Sequence, residues 1–539
     1  MKCIFKMMLI SILFFSCKKE PKINALTINP SQNYTDLFLN ESTINSFFKS
    51  NPENENIVKE VILFYKNRKF QYAWFSKNGM IQAVSNFQNQ LQNYSNDFND
   101  KTLNNTQLDS LIKINKDRVE IDEKEREKLE LMLTTTFFKY SEKAFSGVNK
   151  NAHQLDWFIP RSKKNLQILL DSLILKNEND KTYEPVNLYY SKLKDKLRLY
   201  RDIQKKGGFP IIKTNIKTLS VTESDSCLLQ VKERLFLSGD LKTNDKTILF
   251  SNSLEAAISN FQQRLGLTEN GKLDTKTLEE LNKTVDFRIK QMLVNLERLR
   301  WVPVEIENDY LLVNIPEYKL HVFENKKLLW ETNVVVGKEA KQTSIFKGNI
   351  SRIILNPYWN IPNSIINKEI LPHLKRNANY LSRNNMEVVS NTGKVINAST
   401  INWHKYSKNV PFIIRQKPGD NNSLGKMKFL FPNSFSIYLH DTPSKELFNQ
   451  NKRDFSHGCI RVENPKKLAF YLLKNDKNWS QEKVEKVLKT NIETGIPVKP
   501  NMPVYIAYFT AWVDSNGNLN FRNDVYNLDD ELAKEIFAE

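Results

Sequence analysis

Near residue 310 the spacing of apolar residues changes from three-to-four to two, and this switch constrains the fold more than any other feature of the chain. A period near 3.6 buries one stripe of a helix, whereas a period of 2 buries one face of a strand. Helices and strands are therefore segregated along the chain, the mark of an α+β protein. Before the switch, stretches 57–65, 80–94, 106–113, 121–144, 165–173 and 188–206 carry helical spacing, and Gly207-Gly208-Phe209-Pro210 ends the last of them. After it, 310–315, 319–323, 328–336, 351–355, 434–439, 504–513 and 518–522 alternate as strands. Glu324-Asn325 and Asn516-Gly517 supply hairpin turns, and helical stretches at 466–474 and 481–490 interrupt late. Residues 363–425 are polar, rich in Asn, and predict a helix over 365–375. That is too long for a simple loop, so they read as an inserted flap.

Composition narrows the class. With 40% hydrophobic and 26% charged residues over 539 positions, the chain is neither disordered nor a multi-span membrane protein. A net charge of +18 favours anionic surroundings without choosing among nucleic acid, lipid headgroups and wall polymer. The N-terminus is more specific. Lys2 and Lys6 precede a ten-residue apolar run, then Ser16-Cys17. The run is too short to span a bilayer but fits the apolar region of a signal peptide. The site resembles a bacterial lipoprotein cleavage site, at which Cys17 is lipidated, although Phe14 stands where Leu is commoner. The expectation is an exported chain, held to a membrane by its lipid and facing the periplasm or cell wall. Cys227 and Cys459 are then the only thiols left, too few for a disulfide framework. Cys227, beside Leu228 and Leu229, reads as a buried inert thiol.

Residues 223–283 predict three short helices. Leu254, Ile258 and Phe261 share a face, Gly266 ends their helix, and Asp274 is placed to cap the next. Phe261-Gln262, Gly266-Leu267, Asn270-Gly271 and Thr277-Leu278 resemble the peptidoglycan-binding domain of wall enzymes, with Asp274 departing from the Gly common in relatives.

The chemistry concentrates in Tyr438-Leu-His440-Asp-Thr-Pro443 and Ser456-His457-Gly458-Cys459-Ile-Arg461-Val462. Alternation puts Ser436, Tyr438 and His440 on one strand face, opposite Ile437 and Leu439. A thiol needs a base or positive charge to become a thiolate; His440 can accept its proton and Arg461 adds positive potential. Gly458 lets the backbone approach a developing oxyanion. These pieces suit acyl transfer through a thioester. Zinc held by His440, His457 and Cys459 would need a fourth ligand, and His153, His321, His373 and His404 lack ligand spacing.

With eighteen residues between His440 and Cys459, this pattern resembles the catalytic signature of the large, multidomain bacterial L,D-transpeptidases, as do Asn356-Pro-Tyr-Trp359 and Leu424-Gly-Lys-Met-Lys-Phe-Leu-Phe431-Pro-Asn. The resemblance implies a β-rich catalytic domain of mixed-sandwich type over 286–539 with a capping insertion at about 363–425. Before it would come a signal peptide (1–17), an all-α scaffold (18–222) and the wall-binding module (223–285). It implies Cys459 as nucleophile and His440 as base, oriented by the Asp441 carbonyl. His457 and Gly458 would shape an oxyanion pocket with the Cys459 amide, and Arg461 would support that pocket or a substrate carboxylate. Tyr438, Trp359, Asp441 and Ser456 would contact substrate. The implied partners are peptidoglycan stem peptides and glycan, with no nucleic acid, and the implied reaction needs no cofactor or metal. Three activities stay open: cross-linking of stems, hydrolysis of stems by the same thioester, and non-catalytic wall binding.

Overall fold

The computed structural model describes residues 35–537 apart from 149–151, 162–164, 176–185, 216 and 378. The expected signal peptide and Cys17 lie outside the described residues. The chain forms two compact units, one drawing on 1–88, 105–138 and 165–181 and the other on 89–104, 139–164 and 182–539. The helical region expected as one scaffold over 18–222 is thus divided between them.

In the first unit, helices Glu41–Ser50, Val58–Asn67, Thr106–Asn115 and Leu166–Leu175 join part of Glu123–Ser141. Its centre is a buried carboxylate. Glu130 accepts from the amides of Ala73 and Trp74 (2.5 and 3.0 Å) and from the Tyr65 hydroxyl (2.7 Å). Burying that group is tolerable only because its oxygens are satisfied.

The second unit contains the three-helix module, Leu228–Leu237, Asn252–Leu265 and Thr275–Leu281. Gly266 closes the middle helix in the left-handed conformation and Asp274 caps the third by accepting from Thr277 N–H, as the sequence predicts. Cys227 is buried, and burial together with Asp225 pushes its thiol up to about 12. The module is bound to the β-rich part: Arg264 donates to the Leu519 carbonyl (3.3 Å) and Arg522 to the Arg264 carbonyl (2.8 Å). Helix Val285–Trp301 follows, buried on nearly every side, so that its sequence shows no single apolar stripe. Arg288 and Arg298 are buried within it by pairing with Glu280 and Asp529.

Ten strands form the main sheet: β1 (Trp157–Phe158), β2 (Tyr310–Asn314), β3 (Lys319–Glu324), β4 (Lys327–Gly337), β5 (Ile345–Leu355), β6 (Met427–Leu430), β7 (Leu439–His440), β8 (Asp454–Ser456), β9 (Ile460–Val462) and β10 (Thr494–Ala507). The sheet is mixed and runs β6-β7-β9-β4-β3-β2-β10-β5-β1, with β8 on β4. Because β6 also pairs β5, the ladder returns on itself and leaves few free edges.

Two predicted strands differ. The strand expected over 434–439 is reduced to β7, since Ser436 adopts a left-handed backbone (φ 58°) that breaks the pleat. The strand expected over 504–513 ends at Ala507 and resumes as a hairpin, Ala511–Val513 with Leu519–Phe521, on which Arg522 stacks over the half-buried Trp512. The insertion is a subdomain with its own core of Ile361, Ile366, Leu371, Leu374, Trp403 and Ile414. Its four-stranded antiparallel sheet begins at Trp359, before the expected start at 363. Asn422 ties its two ends by donating to the carbonyls of Pro357 (3.1 Å) and Lys417 (2.9 Å).

Candidate active site

The site is built by strand alternation. In the ladder, Leu439 lies opposite Ile460 and His440 opposite Arg461, while Lys428 lies opposite His440 and Phe429 opposite Leu439. On the far side of β6, Ile353 is opposite Phe429 and Arg352 opposite Leu430. Ile353, Phe429, Leu439 and Ile460 are completely buried in the core. Period-two alternation then turns Arg352, Lys428, His440 and Arg461 to the other face. The Ile460 amide donates to the Tyr438 carbonyl (3.1 Å), which carries the pairing one step back and sets Cys459 beside Tyr438 on that same face. With strands ~4.8 Å apart and ~3.3 Å per residue, the Cα atoms of Cys459 and His440 are about 8 Å apart. The thiol and imidazole share one compartment.

His440 is 5% exposed, and its Nδ1 lies 2.5 Å from the Asp441 carbonyl oxygen. A carbonyl only accepts, so Nδ1 carries the proton and Nε2 keeps its lone pair. Burial, reinforced by the charge of Arg461, lowers the imidazole to about 3. Burial also raises the Cys459 thiol above its ordinary value, against the opposing pull of Tyr438, Lys428 and Arg461. At rest both groups are neutral. The thiol is hydrogen-bonded to the Ser436 carbonyl (3.7 Å) rather than ionised by the imidazole. The left-handed Ser436 aims that carbonyl, and Asn433 fixes the loop by donating to the carbonyls of Phe431 (2.7 Å) and Ile437 (2.8 Å).

Tyr438 interacts with both the Cys459 thiol and the Trp359 indole; burial and the thiol hold its hydroxyl well above its ordinary range. The Lys428 ammonium sits 3.9 Å from the Tyr438 ring centre. Arg461 is half-buried, and its Nε has no hydrogen-bond partner among the described residues.

Several expected roles are redistributed. Ser456 and Asp441 were expected in substrate contact, but both are buried and satisfied internally. Ser456 Oγ donates to the Cys459 carbonyl (2.6 Å) and accepts from the Gly458 amide (3.1 Å). The Asp441 carboxylate takes the amides of Lys426 and Thr442 (2.8 Å each) and the ammonium of Lys445 (2.6 Å). Gly458 N–H is consequently unavailable to an oxyanion. The His457 side chain faces Glu369 of the insertion at 3.6 Å. The Cys459 N–H makes no hydrogen bond among the described residues and is available to an oxyanion. Gly458 is required for its backbone (φ 113°), and its carbonyl is held by Thr343 Oγ1 (2.8 Å). Thr343 also accepts from Gly337 N–H (2.9 Å), and Tyr526 donates to the Gly337 carbonyl (2.6 Å). Nothing in the spacing marks Thr343, Gly337 or Tyr526. Asn433 does sit in the Phe431-Pro-Asn run that the resemblance uses.

Apart from this site, Glu317, His321 and Glu331 bring ligand-type atoms within 4.8 Å of one another. His321 Nε2 meets Glu317 at 2.9 Å and Nδ1 meets Glu331 at 3.2 Å. Burial favours the neutral ring, but the two carboxylates prevail and hold it up at about 9. Both nitrogens are therefore donors, and the cluster is an ion triad in which Glu317 and His321 are buried and Glu331 is exposed.

Residues 308–505 match the L,D-transpeptidase catalytic domain, residues 59–197 a scaffold domain, and residues 229–281 the "Putative peptidoglycan binding domain". The chain is 36% identical over 243 residues to the "Putative L,D-transpeptidase" of Haemophilus influenzae, covering 45% of this chain and 49% of that protein. It thus spans about half the length of the relative it matches. An L,D-transpeptidase structure from Stackebrandtia nassauensis aligns with a TM-score of 0.22 at 13% identity, covering 54% of this chain and 97% of that one. L,D-transpeptidase 1 of Mycobacterium tuberculosis aligns with a TM-score of 0.16 at 11% identity, covering 37% of this chain and 61% of that one. The chain carries an L,D-transpeptidase catalytic domain together with a peptidoglycan-binding domain.

Proposed function

We propose that this protein is a cell-wall L,D-transpeptidase working through a thioester at Cys459. The observation that carries the reading is the single sheet face bearing Cys459, His440, Tyr438 and Arg461, with the proton of His440 fixed on Nδ1 by the Asp441 carbonyl. The donor is a peptidoglycan tetrapeptide stem. As Sγ attacks the carbonyl of its third residue, the thiol proton passes to His440 Nε2, and the developing oxyanion is met by the Cys459 N–H. The C–N bond to the terminal D-alanine breaks, and His440 returns the proton to the leaving amine. An amine of a neighbouring stem then attacks the thioester; its proton passes through His440 to the departing Sγ as the C–S bond breaks, giving a 3→3 cross-link and restoring the thiol. Trp359 and Tyr438 line the groove, and Arg461, with its unsatisfied Nε, takes negative charge. Cys17 anchors the chain by lipid to a membrane, facing the periplasmic wall, a reading that rests on the N-terminal sequence.

Incubation of the purified chain with disaccharide-tetrapeptide tests this by product. Cross-linked dimer is expected, and Cys459→Ala should abolish it while circular dichroism stays unchanged. Tripeptide without dimer would mean that water, not an amine, takes the acyl group. Dimer from Cys459→Ala would remove Cys459 as the nucleophile.

A further inference from the structure

A cleft of about 430 Å³ opens beside Tyr438 on the side away from β9. Leu430, Phe431 and Pro432 give it an apolar wall, and Ser436 and Tyr438, the residues nearest the thiol, close its inner end. At its outer end stands Arg352, exposed and without an ion-pair partner among the described residues. The size suits a peptide segment rather than a single ion.

Register gives the cleft a direction. Arg352 on β5, Lys428 on β6, His440 on β7 and Arg461 on β9 belong to one face of four adjacent strands. From β5 to β9 there are three strand spacings, about 14 Å. An extended peptide covers that distance with about four residues. The face therefore carries Arg352 at one end and, at the other, Arg461 of β9 with the thiol two residues before it. Lys428 cannot serve as the outer charge, because it is half-buried against the Tyr438 ring.

We propose that this cleft is a subsite for the acyl-donor peptide upstream of its reacting carbonyl, in which Arg352 receives a free carboxylate of that segment. The ligand class is an acidic peptide with alkyl surface for Leu430 and Phe431. The assignment rests on the thioester reading for the word donor, but the binding site itself does not. Arg352 touches no reacting atom, so it sets affinity and selection rather than the chemical step.

The test uses the full chain carrying Cys459→Ala, titrated calorimetrically with a stem tetrapeptide and with the same peptide amidated at the carboxylates preceding the third carbonyl. Adding Arg352→Gln should weaken the acidic peptide about tenfold, as expected for a lost charged hydrogen-bond pair, and leave the amidated peptide unchanged. Arg352→Lys should recover part of the loss. Equal effects on both peptides, or no binding of either to the Cys459→Ala chain, would overturn the subsite. With Cys459 intact, Arg352→Gln should raise KM for acyl-enzyme formation, read by mass spectrometry, at unchanged kcat. A defect confined to transfer would assign the cleft to the acceptor and reject it as a donor site. Failure of the intact chain to form any thioester would defeat the proposed function while leaving the binding result standing.

Discussion

Cys459 and His440 are both uncharged at neutral pH, and the causes differ. The imidazole is held near 3 by burial and by Arg461, whereas the thiol is raised by burial alone against three opposing neighbours. A preformed thiolate–imidazolium pair would give alkylation rates that level off above a low pKa. Here the reactive thiolate fraction should rise about tenfold per pH unit from pH 6 to 9, with no inflection near the ordinary histidine value. Iodoacetamide labelling of Cys459, with buried Cys227 as the internal control, measures it; a plateau below pH 7 would contradict the neutral resting pair. The identities of these two residues were legible because a Cys needs a base and the chain offers one in a matching pattern. The roles of Ser456 and Asp441 were not. Both are short polar side chains in loops, and such groups turn to their own backbone whenever the local path allows. Only the folded path shows that Ser456 faces the amide of Gly458 and the carbonyl of Cys459.

At the scale of elements, alternation correctly placed Tyr438 and His440 on one face and Ile437 and Leu439 in the core, yet the strand predicted over 434–439 is broken at Ser436. Propensity gives no warning there, because a serine in the left-handed region is imposed by its surroundings. Part of those surroundings is β1, two residues that no period can reveal. β1 pairs in parallel with β5, and the Phe158 ring meets Phe435 at 4.9 Å, next to Ser436. Phe435 also meets Phe346 of β5 at 4.9 Å. A segment far upstream in sequence thus holds the loop whose carbonyl engages the thiol. Phe158→Ala should loosen that loop and release the thiol from its acceptor. Because one hydrogen bond is worth about 1 kcal/mol, Cys459 alkylation at pH 8 should accelerate about two- to tenfold. Product formation should fall, and Phe158→Leu should restore part of both. Slower alkylation, or none of these changes, would show that β1 does not govern the loop.

For the whole molecule, the switch from helix to strand near residue 310 and the three-helix module could be read directly, since each rests on a local period. The division of the helical region between two compact units could not, because an apolar stripe does not name what it packs against. The insertion lies between these cases: its length marked it, but its sheet and its engagement with the site depend on pairing. It reaches the thiol face twice, through Trp359 at Tyr438 and through Glu369 at His457. In the proposed reaction these contacts favour a cap that would exclude water from the thioester and protect it for an amine acceptor. The ends of the insertion are joined by Asn422, so residues 359–416 can be excised and the gap closed by two glycines with little strain on β5 and β6. The excised chain should shift product from dimer toward tripeptide. Trp359→Phe alone, which keeps an aromatic group but loses the indole N–H and the second ring, should leave the ratio near its original value. Glu369→Lys is a milder version, since it sets a cation against Lys338, Lys341 and His457 without touching the core of the insertion. It should move the ratio the same way by a smaller amount, even if the excised chain fails to fold. An unchanged ratio in Glu369→Lys and in a folded excision would mean that water is excluded by the donor itself, and the insertion would then have to act on binding rather than on the fate of the acyl group.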